Sequence, residues 1–318
     1  MKAVTIRDFG GPEKLVLQDV PAPTPTAGKA LVTIDAAGVG LADVLLRSGA
    51  YRGAFGAPSE GGFVPGLEIA GTVTALGEGT DPTWLGRRVF ALVQLGGYAE
   101  QAVVAPEALI ALPDDITAVD AVALGVNAMV AKIALDRAHL GPGERVLVRG
   151  AAGGIGTLAT QLAAHAGATV AVTTSTPERG DRLKPLGAVE LLDRAATNTE
   201  AFDVIIDNVA GPDFATFIGK LRDNGRLVVC GAAGGFPPPD FGTGLLAGFQ
   251  RSLTVSTLSL NSIDVAALAT ALHEIFDLVR TGRLKPVIEA TLPLGEASTA
   301  HARLEAGQVF GKLVLVPR

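Results

Sequence analysis

Arg145-Val-Leu-Val-Arg149 runs directly into Gly150-Ala-Ala-Gly-Gly-Ile-Gly156 and then into an apolar stretch that ends at Ala166. The short aliphatic run reads as a strand, and Ile155 to Ala166 has the length and composition of a helix. Between them the glycines have separate uses. Gly153 and Gly154 let the backbone approach an anion, Gly156 lets the helix pack on the strand, and the helix start offers unpaired amides. The expected phosphate cradle is therefore Ala152, Gly153, Gly154, Ile155 and Gly156. Ala151 stands where a Gly-x-Gly-x-x-Gly pattern has its first glycine, a change that costs little if this residue keeps a negative φ.

Strand-like and helix-like segments alternate on both sides of this turn. Ala121 to Ala138 reads as a helix, Thr169 to Thr173 as a strand and Pro177 to Leu186 as a helix; further strands fit Val204 to Asp207, Arg226 to Cys230 and Leu253 to Thr257. Such alternation predicts a doubly wound parallel sheet of the Rossmann type over residues 119–264, with right-handed crossovers. Residues 1–118 differ, with short β-branched runs (Ala30 to Ala36, Gly71 to Ala75, Arg88 to Val93, Glu100 to Ala105) broken by Gly and Pro. They predict a β-rich domain. A helix over Val265 to Thr281 and strands near Val287 to Ala290 and Lys312 to Val316 suggest that residues 265–318 return to complete it.

The exit of the second nucleotide-domain strand bears on the choice of dinucleotide. NAD sites usually carry an acid there to grip the ribose 2′-hydroxyl, but this chain reads Val170-Ala-Val-Thr-Thr-Ser-Thr-Pro177. Thr174, Ser175 and Arg179 can donate to a 2′-phosphate, and Arg194 is placed to reach the same corner. NADPH is the expected cofactor.

Composition narrows the function classes. With 318 residues, 48% hydrophobic and 18% charged, the chain can bury a large core. A net charge of −6 gives no reason to expect nucleic acid. The opening residues lack a secretion-signal pattern, and no uncharged apolar run approaches the roughly 18 residues of a membrane span, so a cytoplasmic location is expected. The single cysteine, Cys230, excludes an internal disulfide and reads as a buried strand end. His139, His165, His273 and His301 are scattered singly and read as surface or packing residues.

Several ordered motifs make the chain resemble the quinone oxidoreductase branch of the medium-chain dehydrogenase/reductase family over essentially its whole length. They are Met1-Lys-Ala-Val, Ala36-Ala-Gly-Val, Asp43, Arg47-Ser-Gly-Ala-Tyr51, Pro65-Gly-Leu-Glu-Ile-Ala-Gly-Thr-Val73, Gly96-Gly-Tyr-Ala-Glu100, the glycine turn, Asp203-Val-Ile-Ile-Asp207 and Ala300 to Lys312. The resemblance implies a GroES-like β domain packed on a nucleotide domain, with the substrate cleft between them. The family's zinc-dependent alcohol dehydrogenases carry a His where this chain has Leu67 and a Cys in the region of Gly40. Leu cannot ligate zinc, so no metal is expected.

Without zinc, the implied chemistry is hydride delivery to an acceptor that is already electron-poor, such as a quinone or an activated alkene. Tyr51 matches a tyrosine that lines the family's cleft and is the candidate catalytic residue, orienting an acceptor oxygen or donating a proton. Asn127 stands where relatives carry a cofactor-touching Thr, and Gly231 lies at the exit of the fifth nucleotide-domain strand. Both are candidate cofactor contacts. Gly40 replaces the family's usual Asn near the nicotinamide, while Asp43, Arg47 and Glu68 read as a buried polar scaffold. The expected function is NADPH-dependent quinone reduction, with an enoyl-thioester or enone reductase and a non-catalytic NADPH-binding structural protein as alternatives. The expected partners are a small-molecule acceptor and a second copy in a homodimer, paired through the apolar strand Leu253 to Leu260 at the sheet edge.

Overall fold

The computed structural model describes residues 1–53, 62–192 and 201–317. Arg194 lies outside these residues. The chain forms two units, Met1–Val126 with Ile288–Arg318, and Asn127–Val287. The second boundary falls after the helix that begins at Val265, not before it, so that helix belongs with the nucleotide unit. Its buried stripe of Leu268, Ala271, Leu272, Ile275 and Phe276 is the amphipathic face that requires a partner surface.

In the first unit β1 (Lys2–Ile6) and β2 (Leu15–Asp19) form an antiparallel hairpin. There follow β3 (Ala30–Val39), α1 (Leu41–Ser48), β4 (Glu68–Leu76), β5 (Arg88–Leu92), β6 (Gln101–Val104) and β7 (Leu109–Ala111). Then α2 (Ala118–Arg137) carries the chain onward. The second unit contains β8 (Arg145–Arg149), α3 (Gly154–His165), β9 (Thr169–Thr173), α4 (Pro177–Leu183), β10 (Glu190–Leu192), β11 (Phe202–Asp207), α5 (Phe214–Gly219), β12 (Leu221–Val229), α6 (Gly242–Ala247), β13 (Thr254–Thr257) and α7 (Val265–Arg280). The return to the first unit supplies β14 (Ile288–Pro293), α8 (Ala297–Glu305) and β15 (Lys312–Val316).

The larger sheet of the first unit has the order β14-β15-β3-β4-β5-β7, with β6 also pairing β3. Its alternating strands bury Val32, Ile34, Ile69, Val73, Val89 and Leu313 in one apolar cluster. The sheet of the second unit is β10-β9-β8-β11-β12-β13, every pair parallel. Numbered in chain order this is 3-2-1-4-5-6, the doubly wound arrangement whose ligands lie at the carboxyl ends of the strands, where the order reverses between β8 and β11. Val146, Leu147 and Val148 of β8 are fully buried, as a strand covered on both faces requires.

α2 is long and apolar enough, by length and composition, to cross a membrane, yet 67% of its apolar window is buried within the fold. It acts as a core helix. It is also not one regular helix, because Gly125 breaks it with φ 8° and ψ −117°. Next to the break the N–H of Val126 donates to the Glu68 carboxylate at 3.0 Å. A β-carbon on Gly125 would stand 2.6 Å from both Glu68 Oε2 and the Phe90 ring. Only glycine leaves room for the carboxylate to enter there.

Candidate functional site

The glycine turn has the shape expected of an anion cradle. Gly150 takes φ +66° while Ala151 does not enter the positive-φ region, so the departure at Ala151 is accommodated by its neighbour. Gly153 caps α3 in an extended conformation, and Thr157 N donates to its carbonyl at 2.9 Å. The amides of Gly154, Ile155 and Gly156 thus open the helix with no intrahelical acceptor, at the positive end of its dipole. A β-carbon on Gly156 would lie 2.5 Å from Ala151 Cα and closer still to Gly150 O, whereas one on the exposed Gly153 would meet only Gly150 O at an ordinary 3.5 Å. One glycine serves packing and the other serves approach. Ala152 is buried under the turn.

Asn127, nearly buried, packs its amide where a β-carbon of Gly154 would have to go. The exit of β9 is tied to the same turn by a bond from Ala151 N to Thr173 O at 3.3 Å. There Thr174 Oγ1 donates to Thr176 O at 2.8 Å, Ser175 is exposed and Arg179 is half-buried in the first turn of α4. The nearest acid, Glu178, has its carboxyl held below the usual range by its own backbone N–H and by Thr176. It is therefore engaged with its own helix start.

Two further exits lie beside the turn. Asn208 follows β11, and its Nδ2 donates to Arg149 O at 2.9 Å. A β-carbon on Gly231, after β12, would sit 3.1 Å from Asn208 O. Beneath them Arg149, only 3% exposed, donates from Nη1 to Asp207 Oδ2 at 2.6 Å and from Nη2 to both oxygens of Asp213 at 2.9 and 3.1 Å. Its guanidinium also lies 3.4 Å from the centre of the Phe217 ring. Two carboxylates on one guanidinium leave no free positive charge for a ligand, so this cluster fastens β8 to the loop after β11. The sequence reading missed Arg149 and Asn208. A charge ending the otherwise aliphatic β8, with Asp207 alongside it in parallel register, was the available signal.

In the first unit Tyr51 follows the αL glycine Gly49 that ends α1. Its N–H donates to Leu45 O at 3.2 Å and its ring packs on the β core. Gly40 caps the start of α1, and its N–H donates to Asp43 Oδ2 at 2.9 Å. Gly40 has φ −125° and ψ 163°, extended backbone that any residue adopts, so the absent side chain is not forced by strain. Burial pushes the Asp43 carboxyl up to about 7, opposed by the Gly40 N–H. The expected polar scaffold is present and larger than foreseen: Lys312 pairs with Glu68, Arg47 pairs with Glu305, and Tyr98 Oη lies 3.1 Å from His301 Nε2. Burial, with a lesser contribution from Arg47, pulls His301 down to about 3. Of the four histidines it alone is buried, while His139, His165 and His273 are exposed. Cys230 follows β12 directly, and burial lifts its thiol to about 12, which removes it as a nucleophile near neutral pH. Among the described residues no three His, Cys, Asp or Glu side chains converge on a common point.

Residues 152–315 match a sequence profile described as zinc-binding dehydrogenase, and residues 26–114 match the alcohol dehydrogenase GroES-like domain. The chain is 31% identical to the quinone oxidoreductase of Pongo abelii, over 99% of this chain and 98% of that protein. A mycobacterial structure solved in complex with NADPH superposes with a TM-score of 0.90 at 30% identity, covering both chains fully. The Pseudomonas syringae quinone oxidoreductase superposes at 0.89 with 30% identity, over 99% of each chain.

Proposed function

The chain belongs to the quinone oxidoreductase branch of the medium-chain dehydrogenase/reductase family, and from that premise we propose that it is an NADPH-dependent quinone reductase that works without zinc. The observation that carries this reading is the exit of β9, tied to the glycine turn by Ala151 N and Thr173 O, where Thr174, Ser175 and Arg179 follow and Glu178, the one carboxylate of residues 174–180, is held by its own helix start.

The residues present fit the dinucleotide. The amides of Ala152 to Gly156 would hold its pyrophosphate, and Thr174, Ser175 and Arg179, with Arg194, would meet the 2′-phosphate. Asn127 and Gly231 would line the nicotinamide half. When bound, the cofactor supplies a hydride. Tyr51 orients the acceptor oxygen or hands it a proton, and Leu67 and Gly40 leave the position of a zinc ligand filled by groups that cannot bind the ion. An electron-poor acceptor needs positioning more than acid catalysis, which suits a chain in which Glu68, Lys312, Asp43, Tyr98 and His301 are engaged in pairs or caps.

The test is a thermal-shift comparison of NADPH with NADH, followed by NADPH oxidation with simple quinones, crotonyl thioesters and alkenals, each with and without a chelator. Stabilisation by NADPH, quinone turnover and indifference to the chelator are expected. Turnover of crotonyl thioesters that exceeds quinone turnover and collapses in Tyr51→Phe would replace this reading with enoyl reduction. Tight NADPH binding with no turnover at all would leave a structural protein.

A further inference from the structure

At 81%, Phe236 is the most exposed large apolar side chain among the described residues. Single exposed apolar residues are ordinary on protein surfaces, so exposure alone assigns nothing. Its stem, however, is built with unusual care. Gly234 N donates to Val209 O at 2.8 Å, Gly211 N to Gly235 O at 2.9 Å and Ala233 N to Asn208 O at 3.2 Å, which zips the loop after β12 to the loop after β11. A β-carbon on Gly211, at φ +82°, would stand 3.0 Å from Gly234 O, and one on Gly234 would stand 2.9 Å from Val209 Cγ1. Two glycines make the approach possible.

The other methyl of Val209 lies 3.1 Å from where Gly150 would carry a β-carbon. A continuous path of contacts therefore leads from the phosphate turn through Val209 to Gly234, two residues before the ring. Pro237, Pro238 and Pro239 follow Phe236. Each proline fixes its own φ, and the first also keeps Phe236 out of the helical region. The ring is thus presented on a stiff stem at the carboxyl ends of β11 and β12, the fourth and fifth strands of the 3-2-1-4-5-6 order. These belong to the half of the sheet that receives the second mononucleotide, the one that follows the half whose first turn binds the pyrophosphate.

We propose that Phe236 is a specificity-determining platform on which a planar, electron-poor acceptor ring of the quinone type stacks. This assignment rests on the quinone-reductase reading given above. The electron-rich face of a phenyl ring favours offset stacking with an electron-poor partner, and such a surface selects for planarity and ring size instead of for a hydrogen-bond pattern. Two- and three-ring quinones gain more from it than one-ring quinones.

The experiment compares wild type, Phe236→Ala and Phe236→Trp with 1,4-benzoquinone, 1,4-naphthoquinone and 9,10-phenanthrenequinone, and measures NADPH affinity separately by cofactor fluorescence. Phe236→Ala is expected to raise KM about tenfold for the three-ring quinone and progressively less for the smaller ones. NADPH affinity and kcat stay within about twofold, and Phe236→Trp restores the low KM. Equal KM changes across the series, or none, overturn the proposal, as does a change confined to sedimentation behaviour, which would make the ring a self-association contact. Wild type without quinone turnover refutes the reductase reading alone. The platform is then tested by phenanthrenequinone quenching of bound NADPH: quenching lost in Phe236→Ala supports it, whereas quenching equal in both proteins, or absent from wild type, overturns it.

Discussion

Lys312 and Glu68, 244 positions apart in the chain, form a buried ion pair whose second carboxylate oxygen holds the N–H of Val126 beside the break in α2. Each side chain is 4% exposed. Removing one partner leaves the other charged and dehydrated, which costs about 3–5 kcal/mol in buried pairs. Lys312→Met is therefore expected to lower Tm sharply, and Glu68→Gln combined with Lys312→Met to recover part of the loss. Calorimetry of wild type and the two variants checks this.

Gly156→Ala sets a β-carbon against the Ala151 backbone, which has no flexible end to move aside. Gly219→Ala, with nothing within 4 Å, is the matched control. The first is expected to destabilise by about 1–3 kcal/mol and to weaken NADPH at least tenfold. The control leaves both unchanged, as read by thermal shift and fluorescence titration.

Charge-assisted bonds contribute about 1.5–3 kcal/mol each, equivalent to roughly tenfold to a hundredfold in affinity. Arg179→Ala is expected to weaken NADPH by about that factor while NADH binding stays constant. Ser175→Glu adds repulsion toward a 2′-phosphate and a grip for a 2′-hydroxyl, so it should invert the preference. Isothermal titration with both cofactors decides.

The Asp43 carboxyl titrates near 7 in the folded chain and near 3.8 when free. The folded state therefore keeps its proton longer than the unfolded state, and stability from this group is fully present below about pH 4. It declines as pH rises between the two values, then levels above 7. Asp43→Asn carries no charge to bury. Its Tm should exceed that of wild type at pH 8, with the difference shrinking toward pH 5, in a melting series across that range. His301, already neutral above about pH 3, should show no imidazole titration between pH 5 and 8 by NMR.

The strands Arg145 to Arg149 and Thr169 to Thr173 were legible to the residue because aliphatic runs bounded by Gly and charge leave little alternative. The turn between β8 and α3 was legible for the same reason. α2 was predicted as a single helix, since nothing local announces that Glu68, some sixty positions earlier, intrudes at Gly125. The scaffold role of Asp43, Arg47 and Glu68 was readable from polar residues within apolar runs. Their partners Lys312, Glu305 and Gly40 were not, because pairing across such separations is decided by topology. The placement of α7 was misjudged for a related reason: an amphipathic face specifies that it must be covered but not by which sheet.

β15 sits between β14 and β3, inside the larger sheet of the first unit, although it is made from residues 312–316. During synthesis the nucleotide unit, contiguous from 127 to 287, can close as soon as it emerges. The first unit must wait with an unfilled slot beside Ala37 to Val39 of β3 until β15 leaves the ribosome. Translational stalling or nonsense truncation between the nucleotide unit and β15 should therefore yield a folded nucleotide-binding unit attached to an aggregation-prone first unit.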